Sequence, residues 1–181
     1  EQADLLIIGW NGKISAKDRI FGSVLDQLLE QSSQSVFVCK MEKSIMSNSR
    51  IVSYIPSSSI KEPGFYGVLK SLLTLAKGMN APIMISAEKD VADIIKSTIK
   101  SERTNVEVKY HLLTDDVSHL NQFTLLLKPN DILFAFGARR NTMSWMPFAD
   151  RLPKSMTIKF KNYNFIIAYP GIPYDKRNVF I

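Results

Sequence analysis

One cysteine stands in the 181 residues, Cys39, so the chain can close no internal disulfide and build no multi-cysteine zinc site. It lies in the apolar run "SVFVCK", where a buried, inert thiol is expected, in keeping with a reducing cytosolic compartment. Only two histidines occur, His111 and His119, in different segments and without metal-ligand spacing, so no metal site is expected. No uninterrupted apolar stretch reaches the roughly eighteen residues that a membrane helix needs. An initiator Met, a basic leader and a signal-type apolar segment are also missing, and Glu1 stands just before a strand-like run. We read the chain as a segment excised from a longer polypeptide. No arginine-rich cluster with interleaved aromatics appears, which argues against a nucleic-acid groove.

What is present is ordinary for a folded domain: 45% hydrophobic and 22% charged residues, with a net charge of +6. The charge is uneven. The first forty residues carry four basic side chains (Lys13, Lys17, Arg19, Lys40) against five acidic ones, so the remainder holds a net +7. A basic face of that kind suits an anionic membrane surface or an acidic partner, or is simply solvated.

Strand-like and helix-like runs alternate. "DLLIIG" (4–9) is a short continuous apolar run, the pattern of a strand buried on both faces. Ile20, Val24, Leu25, Leu28 and Leu29 recur at helical spacing within 19–30, and "SVFVCK" closes a βαβ unit. The polar "MEKSIMSNSR" reads as a flexible linker. A second series follows: strand "RIVSYIP", loop "SSSIKEPG", a helix over 65–79 stopped by Gly78, and strand "APIMISAE". Next come a helix capped by Asp90, strand "VEVKYHLL", a helix from Asp115 and Asp116 to Pro129, and strand "DILFAFG". "MTIKF" and "NFIIAY" read as two closing strands.

"DILFAFG" echoes "DLLIIG", and each is followed after a similar interval by another apolar strand, so the same terminal unit occurs twice. The expected fold is α/β: an open, mostly parallel sheet with helices on both faces, preceded by a βαβ half-domain. Residues 1–41 form that half-domain, 42–49 the linker and 50–181 a second, degenerate copy. The half-domain's unpaired strand edge must be covered, by the second copy or by a symmetry mate.

Two residues separate Gly9 from Gly12, and nine more separate Gly12 from the pair Gly22–Ser23, at the entry of an amphipathic helix. Glycines there leave room for an anion, and loop amides with a helix N-terminus attract one. The spacing resembles the G-2x-G-9x-G-(S/T) signature of the universal stress protein family. The resemblance implies a Rossmann-like fold and an ATP or AMP phosphate–ribose site at Gly9, Asn11, Gly12, Gly22 and Ser23, with no cofactor obligatory. Close packing without a ligand is the alternative reading of the same glycines. Lys13, Lys17 and Arg19 lie within reach of a phosphate or in solvent, and Trp10 stacks on a base or packs at an interface. Counting from Gly137, Arg140 stands where the second glycine belongs and Asp150–Arg151 where Gly-Ser belongs, so the second copy is expected to bind nucleotide poorly.

The tandem arrangement with a degenerate second copy also resembles the cytoplasmic C-terminal region of bacterial sodium/proton antiporters of the Bacteroides type. That resemblance implies a regulatory tail at the cytoplasmic face of the inner membrane, sensing a nucleotide or partner, with the membrane transport domain of the same polypeptide and a second copy as partners. The alternative is a dimerisation module that binds no ligand. Ser57, Ser58 and Ser59 have no partnered histidine, and no catalytic base stands out, so no enzyme is expected. Arg139 and Arg140 are the better candidates for contacting an anion or a partner.

Overall fold

The computed structural model describes residues 5–10, 23–114, 123–147 and 149–172, with Ser23 and Val24 described by backbone alone. Seven strands form one sheet: β1 (Leu5–Gly9), β2 (Ser35–Lys40), β3 (Arg50–Tyr54), β4 (Ile83–Ala87), β5 (Val108–Leu112), β6 (Asp131–Phe136) and β7 (Asn164–Tyr169). Their spatial order is β1-β2-β7-β6-β3-β4-β5, and every neighbouring pair is parallel except β2 with β7. The expected open, mostly parallel α/β sheet is what the chain adopts.

Helices cover both faces. On one, α2 (Phe65–Met79) and α3 (Lys89–Ser101) pack over Ile51, Ile83, Ile85, Ile132 and Phe134. On the other, α1 (Ser23–Gln31) and α4 (Leu152–Lys159) pack over Val36, Val38, Leu133, Phe165 and Ile167. The helical spacing of Phe65, Val68, Leu69, Leu72, Leu73 and Ala76 puts all six on the buried stripe of α2.

Several expectations change. β1 is not buried on both faces: it is an edge strand, with Ile7 69% exposed. Gly78 does not stop α2. Asn80 does, in the left-handed region at φ 49°, where its amide answers the carbonyls of Ala76 and Lys77. Glu88, not Asp90, is the residue before α3, and Asp90 lies in the first turn. "MTIKF" is helical rather than extended, because Pro153 opens α4 and Leu152, Met156 and Thr157 turn inward together. The polar segment after β2 is pinned rather than loose. Asn164 Oδ1 accepts from the amides of Glu42 and Lys43 (2.7 and 3.2 Å), and Asn164 Nδ2 donates to Asn48 Oδ1 (2.8 Å). Of the helix expected from Asp115, residues 123–125 are helical and the start lies outside the described residues.

β7 covers the β2 edge of the half-domain within the same chain, while the outer edge of β1 has no strand beside it among the described residues. The β2–β7 register is that of a two-fold. Val38 faces Ile167, Phe37 faces Ala168 and Cys39 faces Ile166, so corresponding residues of "SVFVCK" and "NFIIAY" exchange partners about Val38. The exit segments exchange too: Glu42 N donates to the side chain of Asn164 at the start of β7, and Gly171 N to Oγ of Ser35 at the start of β2 (3.2 Å).

This symmetry corrects the alignment of the two copies. Trp10 N donates to Cys39 O (2.7 Å) and Gly137 N to Ala168 O (2.9 Å), and Cys39 and Ala168 are counterparts. Gly137 therefore matches Trp10, Phe136 matches Gly9, and the position of Gly12 falls on Arg139 rather than Arg140.

Candidate functional site

In an open α/β sheet a ligand approaches the carboxyl ends of the strands where the strand order reverses. In the second copy that point lies between β3 and β6, and side chains fill it. Past β3 the chain makes a 3-10 turn (Ser57–Lys61) and brings in Glu62, a buried carboxylate that accepts from Ser144 N at 2.6 Å. Phe65 meets Phe136 with ring centroids 5.4 Å apart. Gly137 passes under Tyr169 so closely that a Cβ would stand 2.7 Å from the ring. This glycine serves packing within the protein.

The next residues are occupied as well. Arg139, expected to contact an anion, is 3% exposed, and its guanidinium donates to carbonyls at the end of α1. Arg140 is exposed but paired with Asp150 at 3.0 Å, and Asp150 also accepts from Trp145 Nε1 at 3.0 Å. Burial alone would raise the Asp150 pKa; the Trp145 and Arg140 hydrogen bonds outweigh it and hold the carboxyl below its usual range. Asp150 in turn holds Arg140 charged. The position where a phosphate would sit is thus taken by an internal acid–base pair. The sequence signalled Asp150 by its place in the count; nothing in "SSSIKEPG" signalled Glu62.

The first copy differs. Gly9 ends β1, and a Cβ there would meet nothing within 4 Å. Trp10 donates from Nε1 to Thr157 Oγ1 of α4 at 3.0 Å and packs against the core on that face of the sheet. Ser23 is the first described residue of α1. Asn11, Gly12 and Gly22, with Lys13, Lys17 and Arg19, lie outside the described residues, as does the Ser23 side chain.

Elsewhere, Cys39 is half-buried, and burial pushes its thiol up to about 11, consistent with an inert residue. Among the described residues no group of three or more His, Cys, Asp and Glu gathers as a metal site would require, and His119 lies outside them. Two surface depressions of about 230 and 250 Å³ meet at Lys77 and Asn105, at the opposite end of the sheet. α2 and α3 both terminate there, so Lys77 and Arg103 answer carbonyl poles, and an anion has little reason to settle.

The chain has an open, mostly parallel, Rossmann-like α/β architecture in which the β1–β2 and β6–β7 units are related by a pseudo-two-fold. Residues 1–40 match the family model of the universal stress protein family. Solved structures agree on the fold. A universal stress protein from Archaeoglobus fulgidus DSM 4304 superposes with a TM-score of 0.56 at 16% identity, over 93% of this chain and 61% of that one. A protein of Pseudomonas aeruginosa UCBPP-PA14 assigned to the same family gives 0.53 at 11% identity, over 92% and 63%. The chain therefore spans less than two thirds of the length of these structures. No curated protein sequence matches it. The fold is universal-stress-protein-like, and among the described residues no helix is long and apolar enough to cross a membrane.

Proposed function

We propose that the chain is a nucleotide-responsive regulatory module in which the two copies have divided their roles. The first copy holds the phosphates of an adenine nucleotide, ATP or AMP, at Gly9, Asn11, Gly12, Gly22 and Ser23. The second is a scaffold that no longer binds. One contrast carries this reading: among the described residues Gly9 has open space at its Cβ, whereas its counterpart Phe136 is a buried aromatic followed by the internally bonded Arg139 and the Arg140–Asp150 pair. The module acts by binding rather than turnover, as a population shift between packings of the two copies.

In the fuller form of the proposal, the module is the cytoplasmic tail of a membrane sodium/proton antiporter, lying at the inner face of the membrane with its positive charge toward anionic lipid and pairing with a second copy. Residues 1–41 are then the closing part of a first domain and 50–181 a second domain.

The test is calorimetric titration of ATP, ADP and AMP into the chain and into a polypeptide extended upstream by about one hundred residues, the scale of the remaining half-domain. Binding that Gly12→Val or Gly22→Val abolishes is the expected result. No binding by the longer protein removes the nucleotide reading, and phosphate release above background would make it an enzyme.

A purely structural module is the second reading. The β2–β7 pairing favours it, because it joins the copies through backbone hydrogen bonds that need no ligand. A dimer that persists at micromolar concentration without nucleotide, together with failure to bind, would support it.

A further inference from the structure

We infer that Arg139 is the pin that sets the position of α1 and, through it, the phosphate side of the first copy's site; the second clause rests on the nucleotide reading above. Arg139 belongs to the second copy, yet its bonds are to the first. Nη1 donates to Leu29 O (2.9 Å), Ser32 O (2.6 Å) and Ser32 Oγ (3.3 Å), and Nη2 to Gln34 O. These acceptors lie at the carboxyl end of α1 and in the turn that leads into β2.

A helix ends in four carbonyls without intrahelical partners and a partial negative charge, which a cation in the last turn normally answers. α1 has no basic residue in its last turn. Its own turn satisfies one carbonyl, through Ser32 N to Leu28 O at 3.0 Å. The cation comes from the second copy instead, and it is buried, so solvent does not weaken it.

Arg139 also occupies the loop position that Gly12 holds in the first copy. At that place the second copy uses its side chain to hold the neighbouring copy's helix. The described part of α1, Ser23–Gln31, is nine residues, roughly 13 Å. A stretch that short carries a displacement at its pinned end along to Ser23. Arg139 is in this sense a positioning residue: it touches no ligand and fixes the element that would.

The experiment measures amide hydrogen exchange and ligand titration on Arg139→Met, Arg139→Lys and, as a control for lost stability alone, Leu72→Ala on the opposite face of the sheet. Arg139→Met is expected to speed exchange across α1 by about tenfold or more while α2 keeps its protection, and Leu72→Ala to do the reverse. Arg139→Lys, which keeps the charge and loses the fork, falls between the two and carries the test if the Met variant fails to fold. ATP and inorganic pyrophosphate are titrated into the upstream-extended polypeptide. Arg139→Met should weaken both by a factor within about 5–150, and Leu72→Ala should leave them unchanged. If the unmodified protein binds neither probe, the nucleotide reading falls and the pin is judged by exchange alone. Unchanged α1 exchange in a folded Arg139 variant overturns the pin, and unchanged affinity in a protein that does bind overturns its link to the site.

Discussion

Asp26 and Asp150 titrate in opposite directions for reasons a few ångströms of structure supply. Burial raises the Asp26 carboxyl, with Arg140 opposing, so in the folded protein its charge is disfavoured. Asp150 lies below its usual range because Trp145 and Arg140 together outweigh the same burial effect. A lowered carboxyl stabilises the fold above the ordinary carboxylate range, and that stability is lost as pH falls through the folded value. A raised one costs stability at neutral pH and returns it on acidification. Urea midpoints at pH 7 and at about pH 3, either side of the ordinary range, should therefore show Asp26→Asn more stable at the upper pH and Asp150→Asn less stable there, with the difference from the native protein shrinking at the lower pH for both. Gly137 gives a steric prediction at the same scale. An added Cβ would meet the Tyr169 ring at 2.7 Å and Ile167 at 3.1 Å, so Gly137→Ala should cost about 1–3 kcal/mol by denaturant titration. Ser86 points the other way: its hydroxyl is buried with no partner among the described residues, so Ser86→Ala should be neutral or slightly stabilising.

Between elements, polar side chains hold what the apolar faces only bring together. Asn164 opens β7, yet its amide group serves the segment after β2, accepting from Glu42 and Lys43 and donating to Lys43 O and Asn48 Oδ1. Asn164→Leu strands these groups and should cost at least about 2 kcal/mol, with faster amide exchange at Glu42 and Lys43 as the local signature. This contact marks the limit of what the chain's own pattern made legible. Strand and helix order followed from periodicity: continuous apolar runs for β6 and β7, a repeating stripe for α2. The segment 42–49 looked loose because its anchor lies more than a hundred positions away, and polar composition carries no trace of that. α4 was hidden because its inward residues Leu152, Met156 and Thr157 form a short stripe behind a proline, which also suits a strand end. The site divides similarly. Glycine spacing marked a candidate loop in the first copy, most of it outside the described residues, whereas the closure of the second by Glu62, Arg139 and the Arg140–Asp150 pair depends on partners that only the fold assembles. A one-residue shift between the copies, invisible until Trp10 and Gly137 were seen to make the same backbone bond, moved the decisive substitution from Arg140 to Arg139.

At the level of the whole molecule, the pseudo-two-fold makes the two ends of the sheet comparable and exposes a mismatch. β6, the counterpart of β1, has β7 on one side and β3 on the other, and its Phe134 is fully buried against Phe37 and Phe136. Among the described residues β1 pairs only with β2, and Ile7, the counterpart of Phe134, is 69% exposed. An apolar strand with a free edge invites another strand, and the symmetry specifies which kind: parallel, in the register β3 takes on β6, and followed by a helix that covers Ile7 as α2 covers Phe134. In our proposal the polypeptide upstream supplies it. Ile7→Asp should then change the stability of the present chain by less than about 0.5 kcal/mol, as an exposed site does. In the upstream-extended protein the same substitution would place a charge in a closed core and should cost several kcal/mol, of the order of 3. Denaturation of both proteins with and without the substitution decides the matter. A small effect in each would mean that β1 stays an open edge in the longer protein, and that the second copy's architecture is a poor guide to the first.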